Sequence, residues 1–252
     1  MKKSILAFTI SVLFLSCGGK SQKKETDNSP NTETSVSNDL SKIGRENYAV
    51  IWKWTTSDEQ LVTDNLVTIS NELTALWKKG IVENTYYNSD SKVDKFSYFP
   101  NISFSLRAES YKSAEVILNK LTIVKKDIAV YKIYPIGTLW LDRKHKTIHE
   151  NGMTKSFATV WTTTGKPTDE LTKEQNDKVL ELWNAGKIEN VYFDIEGTQK
   201  PNSKTDFIFY ANANTKEEAI TICESLPFFK ENIATYKTHE VGVFWMGKHE
   251  EN

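Results

Sequence analysis

Two stretches of the chain, residues 47–55 and 155–164, concentrate aromatic and β-branched side chains as strands do. Behind the first the spacing changes. Leu66, Ile69, Leu73 and Leu76 recur three and four residues apart within 58–79, which predicts a helix with one buried face. In the second stretch Leu171, Val179, Leu182 and Trp183 do the same after Thr172, which reads as the cap position. Gly80 and Gly186 follow directly and suit a helix stop, where a left-handed backbone favours a residue without Cβ. Strands are expected next at 81–88 and 187–195, followed by the polar loops SDSKVDKFS and EGTQKPNSK. Third strands are expected at 102–108 and 206–213, second helices at 111–121 and 215–226, and fourth strands at 128–134 and 233–239. Residues 137–141 and 242–246 close each series as short apolar ends that read as an extra edge strand.

The two series are one pattern used twice. Leu76, Trp77, Gly80, Glu83, Asn84 and Tyr86 fall at the positions of Leu182, Trp183, Gly186, Glu189, Asn190 and Tyr192. Ile128, Ala129, Tyr131 and Lys132 match Ile233, Ala234, Tyr236 and Lys237, and Gly137 and Trp140 match Gly242 and Trp245. Ala49 and Trp52 match Ala158 and Trp161. The order is β-α-β-β-α-β in each half, the ferredoxin-like unit. The fold expected is α+β, two tandem ferredoxin-like units (46–141 and 155–247) joined by the polar connector 142–154 and followed by a tail, 248–252. Each four-stranded sheet carries helices on one face only, so the two units are expected to cover each other sheet against sheet, in a monomer.

The N-terminus reads as an address. Lys2 and Lys3 precede an apolar run from Ile5 to Leu15, shorter than the roughly 20 residues a bilayer span needs. Ser16-Cys17-Gly18-Gly19 resembles the lipobox of bacterial lipoproteins, with Phe14 where Leu is usual. That resemblance implies a signal peptide at 1–16, a lipid on Cys17 (palmitate among its acyl chains) and a place in the cell envelope, at the outer membrane. Residues 17–45 are too polar to fold and read as a tether. With Cys17 lipidated, Cys223 has no disulfide partner and reads as a buried, inert thiol. The 252 residues carry 32 Lys plus Arg against 33 Asp plus Glu, which excludes the basic footprint of a nucleic-acid binder.

The run from Leu182 to Phe193, the helix 215–226, the Pro227-Phe228-Phe229 turn and the strand from Ile233 resemble the muconolactone isomerase and YciI-like group of the dimeric α/β-barrel superfamily. The resemblance covers about two-thirds of each half and is weaker in the first, where Leu121-Thr122-Ile123-Val124 replaces Leu226-Pro227-Phe228-Phe229. Tyr134-Pro135-Ile136 stands in the first half where His239-Glu240-Val241 stands in the second. The resemblance implies a barrel of two four-stranded sheets, here built within one chain. It also implies proton transfer in an unsaturated lactone-like substrate, with no cofactor. The His–Asp pair common in YciI-like proteins does not carry over, because neither first strand holds a His.

A proton-transfer enzyme needs a carboxylate or imidazole tuned by burial or neighbours. Glu83, Glu189 and His239 are the candidates for catalysis. Strict alternation puts Glu83, Thr85 and Tyr87 on one face and Asn84 and Tyr86 on the other, with Glu189, Val191 and Phe193 set against Asn190 and Tyr192 in the second copy. The plain alternative for each Glu is a solvated carboxylate at a strand start. Six of the seven Trp fall in repeat-related pairs, Trp52 and Trp161, Trp77 and Trp183, Trp140 and Trp245, which suits a core. Tyr86, Tyr192, Trp52 and Trp161 are the candidates for lining a pocket. His145 and His149 lack a third ligand, so no metal site is expected. The nucleotide-binding, zinc-protease and serine-hydrolase motifs have no counterpart in the chain. The sequence thus points to a lipid-anchored envelope protein binding a small organic molecule, catalysis being one option. The alternative is a non-catalytic interaction module with a filled barrel.

Overall fold

The computed structural model describes residues 46–88, 101–144, 155–193 and 206–249. The signal peptide, Cys17, the tether, His145 and His149 lie outside the described residues.

The first half comprises β1 (Glu46–Trp54), α1 (Glu59–Lys78), β2 (Val82–Asn88), β3 (Asn101–Ala108), α2 (Tyr111–Asn119), α3 (Thr122–Lys125) and β4 (Ala129–Leu141). The second comprises β5 (Lys155–Thr163), α4 (Asp169–Asn184), β6 (Ile188–Phe193), β7 (Phe207–Ala213), α5 (Lys216–Glu224), α6 (Pro227–Lys230) and β8 (Ala234–Met246). Helix starts follow local chemistry. Asp58 accepts a hydrogen bond from the backbone N–H of Leu61 and caps α1. The cap of α4 is Thr168, not Thr172; Thr168 accepts from Leu171 N–H, and Thr172 sits one turn inside with its hydroxyl on the Thr168 carbonyl at 2.8 Å. At the far ends Ile81 N–H bonds to Leu76 O and Lys187 N–H to Leu182 O, the closure expected with Gly80 and Gly186 at positive φ.

The second helix of each half is broken in two. Its short second piece forms around Pro227 in one half and around Thr122 in the other. Leu121 and Leu226 enter it buried, and Ile123 and Phe228 sit at the same place in the core. The "extra edge strands" do not exist as separate elements. They continue β4 and β8 through a bulge, where Gly137 and Gly242 take positive φ.

The eight strands close into one antiparallel barrel in the order β1-β3-β2-β8-β5-β7-β6-β4. The halves therefore meet through two backbone ladders, β2 with β8 and β4 with β6, as well as across their facing sheets. Alternation along β1 sends Tyr48, Val50, Trp52 and Trp54 to the helix side and Ala49 and Ile51 to the barrel interior. The helix side of each half is its own apolar core. A third cluster fills the barrel, with Tyr86, Tyr192, Tyr210, Ile136, Ile208 and Val241 among its members.

Candidate functional site

The barrel interior is shaped by one irregularity used twice. Asn84 and Asn190 take φ of 49° and 47°, and the pairing of β2 and β6 shifts register between Glu83 and Tyr86 and between Glu189 and Tyr192. Asn tolerates the left-handed region better than other residues with a Cβ. The extra residue of such a bulge breaks alternation. Glu83 and Tyr86 are thereby not on opposite faces, as strict alternation predicted. Glu83 sits opposite Ser105, Glu189 opposite Tyr210, and the tyrosines turn into the same layer.

There the halves interlock. Tyr86 Oη donates to Glu189 Oε1 at 2.8 Å and accepts from Asn190 Nδ2 at 2.7 Å. In the mirrored contact, Asn84 Nδ2 donates to Tyr192 Oη at 3.0 Å, which also shares a hydrogen bond with Ser105 Oγ at 3.0 Å. Tyr210 stacks on Tyr86 with ring centroids 4.3 Å apart. Arg143 closes the cluster, with Nε 3.0 Å from Glu189 Oε2 and its guanidinium 3.8 Å above the Phe244 ring.

The two copies differ at the carboxylates. Lys248 is Arg143's counterpart in the repeat, yet its ammonium lies 3.1 Å from Asp142. Glu83 is left without an ion pair among the described residues. Burial raises the Glu83 carboxyl above its usual range, against the pull of Lys248 and Arg107. Burial raises Glu189 too, against the pull of Arg143 and the hydrogen bond from Tyr86. Glu189 is only 1 % exposed and Glu83 5 %, so neither is the solvated strand-start carboxylate of the plain alternative. Asn190 Oδ1 is buried with no partner among the described residues. This buried cluster ties the two halves together through hydrogen bonds that run from each half to the other.

His239 lies toward the other end of the barrel, where β4 and β8 begin. It pairs with Ala158 across the β5–β8 ladder, so it faces inward, and its Nε2 is 3.0 Å from Tyr134 Oη. Tyr134, at the matching position of the first half, pairs with Ala49 and also faces inward. Two residues further out, Lys132 lies opposite Ile51 and Lys237 opposite Val160, again interior positions, and both lysines are exposed. Among the described residues neither lysine takes an ion pair. Burial lowers the His239 pKa, and the charges of Lys132 and Lys237 lower it further.

The remaining candidates separate. Trp52 and Trp161 are buried on the helix side, away from Tyr86 and Tyr192, and line no pocket in the barrel. Cys223 is buried, and burial pushes its thiol up, as suits an inert residue. His249 packs edge-on against Trp77, 4.5 Å between centroids. A cleft of about 450 Å³ lies outside the barrel, between α4 and the β4–β6 seam, lined by Thr138, Trp140, Thr172, Asn176 and Phe193. The enclosed Trp- and Tyr-lined pocket expected inside the barrel is instead packed with side chains. No group of three or more metal-ligating side chains occurs among the described residues. Arg143, Tyr134, Lys132 and Lys237 were not among the expected site residues. The repeat held the signal, because Tyr134 and His239, like Lys132 and Lys237, occupy matching positions.

No family model matches the chain, and no curated protein matches it. Solved structures do. Chlorite dismutase from Candidatus Nitrospira defluvii, in complex with imidazole, is similar over 82 % of this chain and 93 % of its own, at 9 % identity and a TM-score of 0.51. A variant of the same enzyme is similar over 82 % and 93 %, at 11 % identity and a TM-score of 0.51. These neighbours overturn the muconolactone isomerase and YciI-like assignment, and with it the lactone isomerase and the envelope module built on it. The motifs behind that assignment are fold motifs. The Leu-Pro-Phe-Phe turn yields the same short helix as a first-half segment without it. The lipoprotein reading gains no support from the comparisons, and no described helix is long and apolar enough to cross a membrane. At about a tenth identity the likeness is one of fold alone: the chain has a chlorite dismutase-like α+β architecture.

Proposed function

We propose that the chain is a binding protein that takes a small anion at the basic end of its barrel. The observation that carries this is the pair Lys132 and Lys237, two exposed, inward-facing ammonium groups from matching strands, unpaired among the described residues and flanking the Tyr134–His239 contact. Like charges brought together at a barrel mouth raise the local concentration of counter-ions. Lysine supplies three donors on a flexible stem and suits a compact oxyanion. Tyr134 adds a hydroxyl at the floor. Chlorite, which gives the solved neighbours their name, belongs to that class of ligand. The barrel as an intrachain counterpart of a two-copy assembly fits the same reading, since the site is made of one residue pair from each half.

The test is calorimetric titration of the full chain with inorganic phosphate and with a small dicarboxylate at low ionic strength. One saturable site is expected, weakening as salt is raised. Replacing both lysines, Lys132→Ala with Lys237→Ala, should lower affinity at least about tenfold, the effect of losing two charge-assisted contacts. Equal affinity in the double variant, or no binding of either anion, would overturn the proposal.

A further inference from the structure

We propose that the basic end of the barrel takes up its anion together with one proton, and that His239 holds that proton. This rests on the anion-binding reading above. Among the described residues, the groups that face His239 come from three strands. β4 contributes Tyr134 and Lys132, β5 contributes the apolar Ala158 opposite it, and β8 itself contributes Lys237. Among the described residues no carboxylate acts on the imidazole; Glu240, next in the chain, is engaged by Lys155 at 3.3 Å. With the site empty, two ammonium groups oppose a third positive charge beside them. An anion between the lysines cancels that opposition, so the imidazolium becomes the favoured form while the anion is bound. Linkage makes the effect reciprocal, and protonating His239 must tighten the anion by the same factor.

The Tyr134 contact supplies the mechanical part. A neutral imidazole can accept at Nε2, and then the Tyr134 hydroxyl proton is committed to it. Once Nε2 carries a proton it becomes the donor, and Tyr134 Oη becomes the acceptor. The Tyr134 O–H is then free to turn toward the lysines and donate to the anion. One proton arrives from solvent, the hydrogen bond reverses direction, and no covalent bond forms or breaks. The ligand class that benefits is an oxyanion or carboxylate with an unprotonated oxygen near pH 6, able to accept from two ammonium groups and one hydroxyl.

The experiment is titration of the full chain with phosphate and with the dicarboxylate between pH 5.5 and 7.5, each in two buffers of different ionisation enthalpy, so that proton uptake is read beside affinity. For the dicarboxylate, uptake approaching one proton per anion is expected near pH 6.5, with affinity roughly thirtyfold higher at pH 5.5 than at pH 7.5, since uptake is the slope of affinity against pH. His239→Gln should abolish the uptake and leave an anion affinity that hardly varies with pH. NMR of the imidazole resonances, with that variant assigning His239 among the four histidines, should show the His239 titration moving to higher pH when anion is added. Binding without proton uptake, or uptake that survives in His239→Gln, would overturn this inference and leave anion binding intact. No binding at any pH would overturn both.

Discussion

Glu83 and Glu189 show how far one residue's surroundings can differ between two copies of a motif. Both follow the helix-stop glycine at the same interval, and both are buried beside a tyrosine from the other half. Glu189 spends its charge on Arg143 and Tyr86. Glu83 has the pull of Lys248 and Arg107 set against its burial and the charge of Asp142. A carboxyl whose pKa is higher folded than unfolded holds its proton more tightly in the fold. Its contribution is present below the unfolded value and is lost as pH rises through the folded one. Glu83→Gln, which keeps the shape and removes the titration, should therefore melt at or above wild type near neutral pH. The gap should narrow as pH falls toward 4, where the wild-type carboxyl is protonated as well. Melting curves of the two proteins between pH 4 and 7.5 check this, and a gap that widens on acidification would contradict the assigned environment. Burial of these residues was not legible from spacing. Alternation placed Glu83 apart from Tyr86, and only the left-handed Asn84 brings them into one layer.

At the scale of elements, the seams between the halves depend on close backbone approach. Gly242 has φ +82°, and a Cβ there would lie 2.1 Å from the Tyr87 carbonyl oxygen. Gly80 also has positive φ, but a Cβ there would meet nothing within 4 Å. Gly80→Ala should thus cost about 1–2 kcal/mol, the strain of a left-handed alanine. Gly242→Ala should cost about 4 kcal/mol or more, because strand β8 must move away from β2. Urea denaturation of the two variants separates the cases, and comparable losses would mean the seam is looser than its geometry. Strands, helices and their order were legible because each half buries a single apolar stripe per element, and period follows from that. The long β4 and β8 were not. Pro135 and Gly137 read as an interruption, while in the barrel they mark a bulge through which pairing passes from β1 to β6.

For the whole molecule, closure is the controlling fact. A four-stranded half on its own would leave β2 and β4, or β6 and β8, as open edges, with the apolar inner face of the sheet exposed. Cutting the chain within 145–154 and producing 1–144 and 155–252 separately should give two fragments that aggregate or unfold alone. Co-expressed, they should associate in a one-to-one complex. Two independently stable fragments, seen as sharp separate melts, would show that the ladders between halves add little. The duplication itself was the most legible feature of the chain, since the same Leu-Trp-Gly-Glu-Asn-Tyr order recurs in both halves. The family was not, because a repeated ferredoxin-like unit specifies an architecture that many chemistries share.

The contact between Tyr134 and His239 joins two positions that correspond in the repeat. Corresponding positions touch only on the pseudo-symmetry axis. Two separate identical chains closing the same barrel would have to set like against like there, tyrosine on tyrosine or histidine on histidine. A donor facing an acceptor of another kind is open only to a barrel whose two sides are written independently along one polypeptide. Joining the halves thus gave the centre of the molecule a chemical vocabulary that strict symmetry forbids, and the axis is where differences between the copies can be read as function.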